Sequence, residues 1–390
     1  EDQRSDQSIG HAQSKFLSNS TLGLNKWWRW VVGVILILVF WQGIGIIPFF
    51  VACEYLNNTG MSEFTCGDFG ITGDSFIPEY LLSNYAFIIG IIGVWITVKL
   101  IHKKTLTQVV TGRRTFDYNR VVYAIWVGLI IFGFLLALDR LFFHSDIEFR
   151  SPNIWEYITF FLFAIVLTPY QAALEEILFR GYLFQGMSLL TKNKIFLVSS
   201  SAIFFTAIHL LNLEPYEYGF GPYVTGMMIF GIFVSLLTLL DGGIELAVGY
   251  HAVNNLWVAL VVNTEVTSMQ TPSLFVIPID GYEFFPGTPV PSDSGPASID
   301  LDRGATEYSQ RKASLGLSLV VESVALLGQV ILGIHWFVDG AEDAVAELEV
   351  LEVESLQQGI VCAHGNPESG VQDGGSSTSL PVNFLERNIC

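Results

Sequence analysis

Three short stretches place ionisable side chains among apolar ones: ALEEILFRG with Glu175, Glu176 and Arg180, FFTAIHLLN with His209, and YHAVNN with His251 and Asn255. Charge in apolar surroundings is costly to keep, so such residues are candidates for function by default. Glu176 and Arg180 are four residues apart and share one helix face, while Glu175 points about 100° away. One acid is thus neutralised by its neighbour and the other is left free. His251 and Asn255 are again an i,i+4 pair projecting the same way. Glu175 stands 17 residues before Lys192 in the TKNK turn and His209 stands 17 residues after it, so an antiparallel hairpin brings both to one depth. A carboxylate facing an imidazole where water is restricted can hold a water molecule and take its proton, with Glu175 as the base. Burial makes a carboxylate a better base. His251 and Asn255 could then donate hydrogen bonds to the oxyanion that develops on an attacked carbonyl. Peptide hydrolysis is the reaction these parts fit. Taken singly, an intramembrane His often only bonds a neighbouring helix, and a Glu with Arg at i+4 is often only a structural pair. Three motifs at matched depth set the catalytic reading above that one. Glu322 and His335 have no comparable partner and read as structural.

The elements that must position these residues are membrane helices. The chain has 390 residues, 51% of them hydrophobic and 14% charged, with a mean hydropathy of +0.48, too apolar for an ordinary soluble domain. A helix needs about 20 apolar residues to cross the hydrocarbon. The fold class that follows is an all-α, polytopic transmembrane bundle of about seven to eight spans. The first runs from Trp27 to Ala52 and opens on the WWRW cluster, whose aromatic and cationic side chains suit the membrane interface. The second and third run from Leu81 to Ile101 and from Val121 to Leu138. Trp155 to Leu190 is too long for one simple span, at about 54 Å, and Pro169 is expected to kink it. Ile195 to Leu211, Tyr223 to Leu240 and Ile244 to Val262 complete the core, joined by short turns that make neighbours antiparallel. A last run, Leu315 to Val338, is broken by Glu322 and Gln329.

Lys99, Lys103, Lys104, Arg113, Arg114 and Arg120 cluster between the second and third spans, and the positive-inside rule puts them, and the N-terminus, in the cytoplasm. The loop Glu54 to Glu79 holds five acidic residues and neither Lys nor Arg, and lies on the other side. Cys53 and Cys66 share that loop, where one disulfide could form; Cys362 and Cys390 lie far off. The net charge of -18 sits mostly beyond residue 263, where the chain carries -14. Such acidity argues against nucleic-acid binding. The domain reading is a polar segment over 1–26 without a cleavable signal, a transmembrane catalytic core over 27–262, an extramembrane loop over 263–314, a further span over 315–338 and an acidic, disordered tail over 339–390.

Glu-Glu-x-x-x-Arg, then Phe-x-x-x-His, then His-x-x-x-Asn on successive membrane helices resembles the CAAX protease and bacteriocin-processing family, also called Abi, which includes the type II CAAX prenyl endopeptidases. The resemblance covers 121–262. It implies that Glu175 is the catalytic base, that His209 is its partner on the water, and that His251 and Asn255 form the oxyanion site. Glu176 and Arg180 would be supporting residues, and Phe205 would line the pocket. The site would open towards the cytoplasm. Whether the family uses a metal is left open: Glu175, His209 and His251 could coordinate zinc with a position free for water. The implied partners are a peptide or lipid-modified protein substrate and membrane lipids. Two other classes stay in view, a non-catalytic immunity or scaffold protein that keeps the motif, and a proton-coupled transporter, against which the lack of an inverted repeat speaks.

Overall fold

The computed structural model describes residues 12–59, 64–67, 70–143, 147–217 and 219–278. Seven helices dominate these residues: α1 (Trp27–Thr59), α2 (Ile77–Ile101), α3 (Tyr118–Phe142), α4 (Ile154–Ser188), α5 (Lys194–His209), α6 (Phe220–Asp241) and α7 (Glu245–Leu260). Five of them, α1 to α4 and α6, are long and apolar enough to cross a membrane. The other two, α5 and α7, have 16 residues each, about 24 Å of rise, short of the ~30 Å hydrocarbon thickness. The expected seven to eight spans thus become five of spanning length among the described residues. The run at 315–338, with Glu322, Gln329 and His335, lies outside them, as does the tail.

α4 begins on an Asn153 cap, whose side chain accepts from Trp155 and Glu156 N–H, and continues as one helix through Pro169 to Glu176. Over Ile177–Leu183 the helix widens to i→i+5 bonding before closing again at Phe184–Ser188. Such an inserted residue shifts the faces on either side of it and recurs at functional sites. α7 packs on α3 and α4, α5 on α6, and α2 on α4. Gly249 permits the α3–α7 contact: a Cβ there would overlap the Val121 carbonyl oxygen and stand 2.8 Å from Ala124 Cβ.

The last turns of α4 and the α6–α7 turn are closed over by residues 12–24 and 102–113. Gln185 Nε2 donates to Gln108 O at 2.6 Å, Gln13 Nε2 to Leu240 O at 2.6 Å, Gly112 N to Gly242 O at 2.8 Å and Ile244 N to Val110 O at 2.9 Å. Asp241, fully buried at its side chain, takes Arg113 at 2.9 Å and also pairs with Arg120, while Arg113 reaches Glu245 at 3.4 Å. Two members of the basic cluster are therefore folded against acids instead of standing free in solvent.

At the opposite end the α1–α2 connection forms the hairpin β1 (Phe64–Gly67) and β2 (Gly70–Gly73). The Cys53–Cys66 disulfide ties it to α1. β3 (Glu148–Phe149), β4 (Val262–Thr264) and β5 (Phe275–Ile277) make a small sheet in the order β3-β5-β4, with β3–β5 antiparallel and β4–β5 parallel. Both sheets are additions to the all-α expectation, and the second shows that the start of the segment read as a loop from residue 263 folds back on the helices.

Candidate active site

Four helices supply the site. α4 presents Glu175 and Glu176 about two-thirds of the way along its length, α5 presents His209 at its last residue, α7 presents His251 in its second turn, and α6 closes the group with Phe230 and Ser235. Glu175 Oε2 lies 3.8 Å from His209 Nε2 and 3.8 Å from His251 Nε2, so one carboxylate oxygen faces two imidazoles from different helices. That oxygen is buried and makes no direct hydrogen bond. A buried polar atom without a partner needs an explanation, and a gap longer than a direct hydrogen bond between three polar atoms suits a bridging water.

Each imidazole is oriented through its other nitrogen. His209 Nδ1 lies 2.7 Å from Phe205 O; a carbonyl only accepts, so Nδ1 carries the proton and Nε2 turns to Glu175. His251 Nδ1 lies 2.7 Å from Glu176 Oε1, and by the same reasoning donates to that carboxylate. Glu176 Oε1 also receives Arg180 Nη1 at 2.9 Å. The second acid thus does more than pair with Arg180: it holds His251 in place.

Arg180 is wholly buried, and its remaining donors are met by Ser235 Oγ at 3.3 Å and Gly231 O at 3.2 Å, both on α6. Its guanidinium lies 4.5 Å from the centre of the Phe205 ring. Phe205 packs at 4.2 Å between ring centres on His209 and stacks at 5.6 Å on Phe230, and Phe230 meets His251 edge-on at 5.0 Å. Aromatic faces therefore wall the acids off from water on one side. Asn255 sits one turn beyond His251 and accepts a hydrogen bond from Asn254 Nδ2 at 3.2 Å through its Oδ1, which leaves its own amide protons available. It makes no direct bond to Glu175, His209 or His251 among the described residues.

Side-chain exposure is nil at Glu176 and Arg180, 3% at His251, 5% at Glu175 and 18% at His209. The gradient runs towards the end of α5. At the basic-loop end, residues 12–24 and 102–113 are packed against α4 and the α6–α7 turn. Sequence reasoning missed Phe230, Ser235 and the bond between Glu176 and His251. A small hydroxyl in the apolar α6 was the available signal for Ser235; the other two depend on how α6 and α7 are rotated about their axes.

Among the described residues no group of three or more His, Cys, Asp and Glu side chains is arranged to hold a metal ion. Both Nδ1 atoms are bonded elsewhere, which leaves the two Nε2 atoms turned to Glu175 Oε2 at 3.8 Å. The chemistry proposed below uses protein groups and water.

Fold and site define a membrane-embedded helical protein with an acid–imidazole centre. Residues 150–257 match the family model of the type II CAAX prenyl endopeptidase Rce1-like proteins, a segment that holds every residue of the site and supports its likeness to the CAAX protease family. A Bacillus subtilis (strain 168) protein, YyaK, whose printed name is "uncharacterized", is 26% identical over 259 residues, covering 65% of this chain and 85% of its own length. No solved structure matches.

Proposed function

We propose that the protein is an intramembrane endopeptidase of the CAAX prenyl protease type, hydrolysing a peptide bond with a water activated by Glu175. The observation that carries this reading is the unbonded carboxylate oxygen of Glu175 held 3.8 Å from two oriented imidazoles. A water between Glu175 and His209 Nε2 gives its proton to the carboxylate and its oxygen to the substrate carbonyl. The proton then passes from Glu175 to the departing amine, which restores the carboxylate. Glu176 and Arg180 hold His251, and Phe205 fixes the angle of His209 through its carbonyl and its ring. Asn255 donates its free amide protons to substrate. The substrate is a peptide or a lipid-modified protein, drawn to the site by the apolar surface of the helices. Chemistry of this kind needs water to be scarce, and Glu175, Glu176, Arg180 and His251 are all buried.

The test is cleavage of a quenched fluorogenic peptide carrying a farnesylated cysteine near its C-terminus, by protein purified in detergent. Wild type should turn over, and Glu175→Ala and His209→Ala should lose activity while keeping their unfolding midpoints. Equal turnover in all three would sink the enzyme reading and leave a scaffold that merely retains the motif.

A further inference from the structure

His251 donates its Nδ1 proton to Glu176, so in the neutral ring the nitrogen that faces Glu175 carries a lone pair and cannot donate to an oxyanion. A site that hydrolyses an amide needs donors aimed at the oxygen on which charge develops, which directs attention to hydroxyl and amide groups around the rim.

α6 supplies one. Phe230 of α6 touches both Phe205 and His251, which fixes the face that α6 turns to the site. Tyr223 is seven residues earlier, so it lies on that same face, two turns and about 10 Å along the axis, in the direction in which the site becomes exposed. Its hydroxyl is held by Asn212 Nδ2 at 3.2 Å, and Asn212 is itself tied to the end of α5, its N–H donating to His209 O at 3.1 Å. Asn212 gives a proton to the phenol oxygen, and the phenol's own proton has no acceptor among the described residues.

We infer that Tyr223 is a further catalytic residue, whose hydroxyl, positioned by Asn212, donates a hydrogen bond to the carbonyl oxygen of the scissile peptide as negative charge builds on it. The inference rests on the endopeptidase reading above. The hydroxyl and the Asn255 amide then flank the carbonyl, while Glu175 and His209 deliver water to its carbon.

The experiment measures kcat and KM on the farnesyl-peptide for wild type, Tyr223→Phe, Asn212→Ala and Glu175→Gln, with unfolding midpoints for all four. Loss of one oxyanion donor costs on the order of 100-fold in kcat, and Tyr223→Phe should show that drop with KM and midpoint unchanged. Asn212→Ala should fall in the same direction by less, since it frees the phenol without removing it; this second variant also decides the matter should Tyr223→Phe lower the midpoint. Wild-type kcat in both variants overturns the inference, as does a rise in KM alone, which would make Tyr223 a binding residue. If Glu175→Gln turns over normally, the endopeptidase reading itself fails; if Glu175→Gln is inactive while Tyr223→Phe is not, only the role of Tyr223 is lost.

Discussion

The two adjacent acids of α4 have different work to do, and single substitutions separate them. Glu175 has no ion-pair partner closer than the imidazoles at 3.8 Å, so Glu175→Gln should remove activity with little effect on stability. Glu176 is bonded to Arg180 and to His251. Glu176→Gln leaves a buried guanidinium without its counter-charge, a loss of about 3–5 kcal/mol, and should lower the unfolding midpoint as well as the rate; an unchanged midpoint would mean that Ser235 and Gly231 are enough for Arg180. Sequence made this division visible only in part. The i,i+4 spacing of Glu176 and Arg180 is a property of any α-helix, and ionisable residues stand out where everything around them is apolar. That Glu176 also orients His251 follows from the rotation of α7 about its axis, which no local spacing encodes.

At the scale of elements, α7 must approach α3 closely enough to aim His251. Gly249 is two residues away, and a methyl group there would overlap backbone that cannot yield. Gly249→Ala should therefore displace α7 and cost activity out of proportion to its size, since shifts on the order of 1 Å matter to reacting groups. Normal kcat in this variant would show that the helix can slide without harm. A second contact anchors the far end of α4. Tyr182 donates its hydroxyl to His102 Nε2 at 2.6 Å, while His102 Nδ1 donates to Leu24 O at 2.9 Å, and Trp30 packs on both rings. Burial, aided by the charges of Lys104 and Arg29, holds the His102 imidazole down at about 4 from its ordinary 6.5. Between those values the unfolded chain takes up a proton that the folded chain refuses. The stability due to the neutral ring is thus complete above pH 6.5 and is lost as pH falls through 4. The unfolding midpoint should drop over this window in wild type and less steeply in His102→Gln; parallel curves would assign the acid sensitivity elsewhere. Helices with long apolar runs were readable from composition. The widened turn at Ile177–Leu183 and the clamp at Tyr182 were not, because ordinary helical periodicity was assumed through that stretch.

For the molecule as a whole, the basic loop and the disulfide-tied hairpin provide two markers by which orientation can be tested. Lys103 lies by the basic loop, and Thr72 lies in the hairpin stapled by Cys53–Cys66. By the positive-inside rule, Lys103→Cys should react with a membrane-impermeant maleimide only from the cytoplasmic side, and Thr72→Cys only from the other. The reverse pattern would invert the orientation. Incubation with a chelator, followed by zinc, tests whether a metal takes part: unchanged turnover means that protein groups and water suffice, and loss of activity restored by zinc means that Glu175, His209 and His251 hold a metal. The helical bundle could be read from the sequence because hydrocarbon thickness imposes element length. The packing of residues 12–24 and 102–113 beneath α4 could not, since it depends on backbone bonds such as Gly112 to Gly242 that carry no residue-type signal. The most direct measurement is single-turnover cleavage of the farnesyl-peptide by wild type and Glu175→Gln at equal protein and matched unfolding midpoints. The account predicts product from wild type and a rate at least 100-fold lower from the variant, a typical loss for a missing general base; equal rates would contradict it.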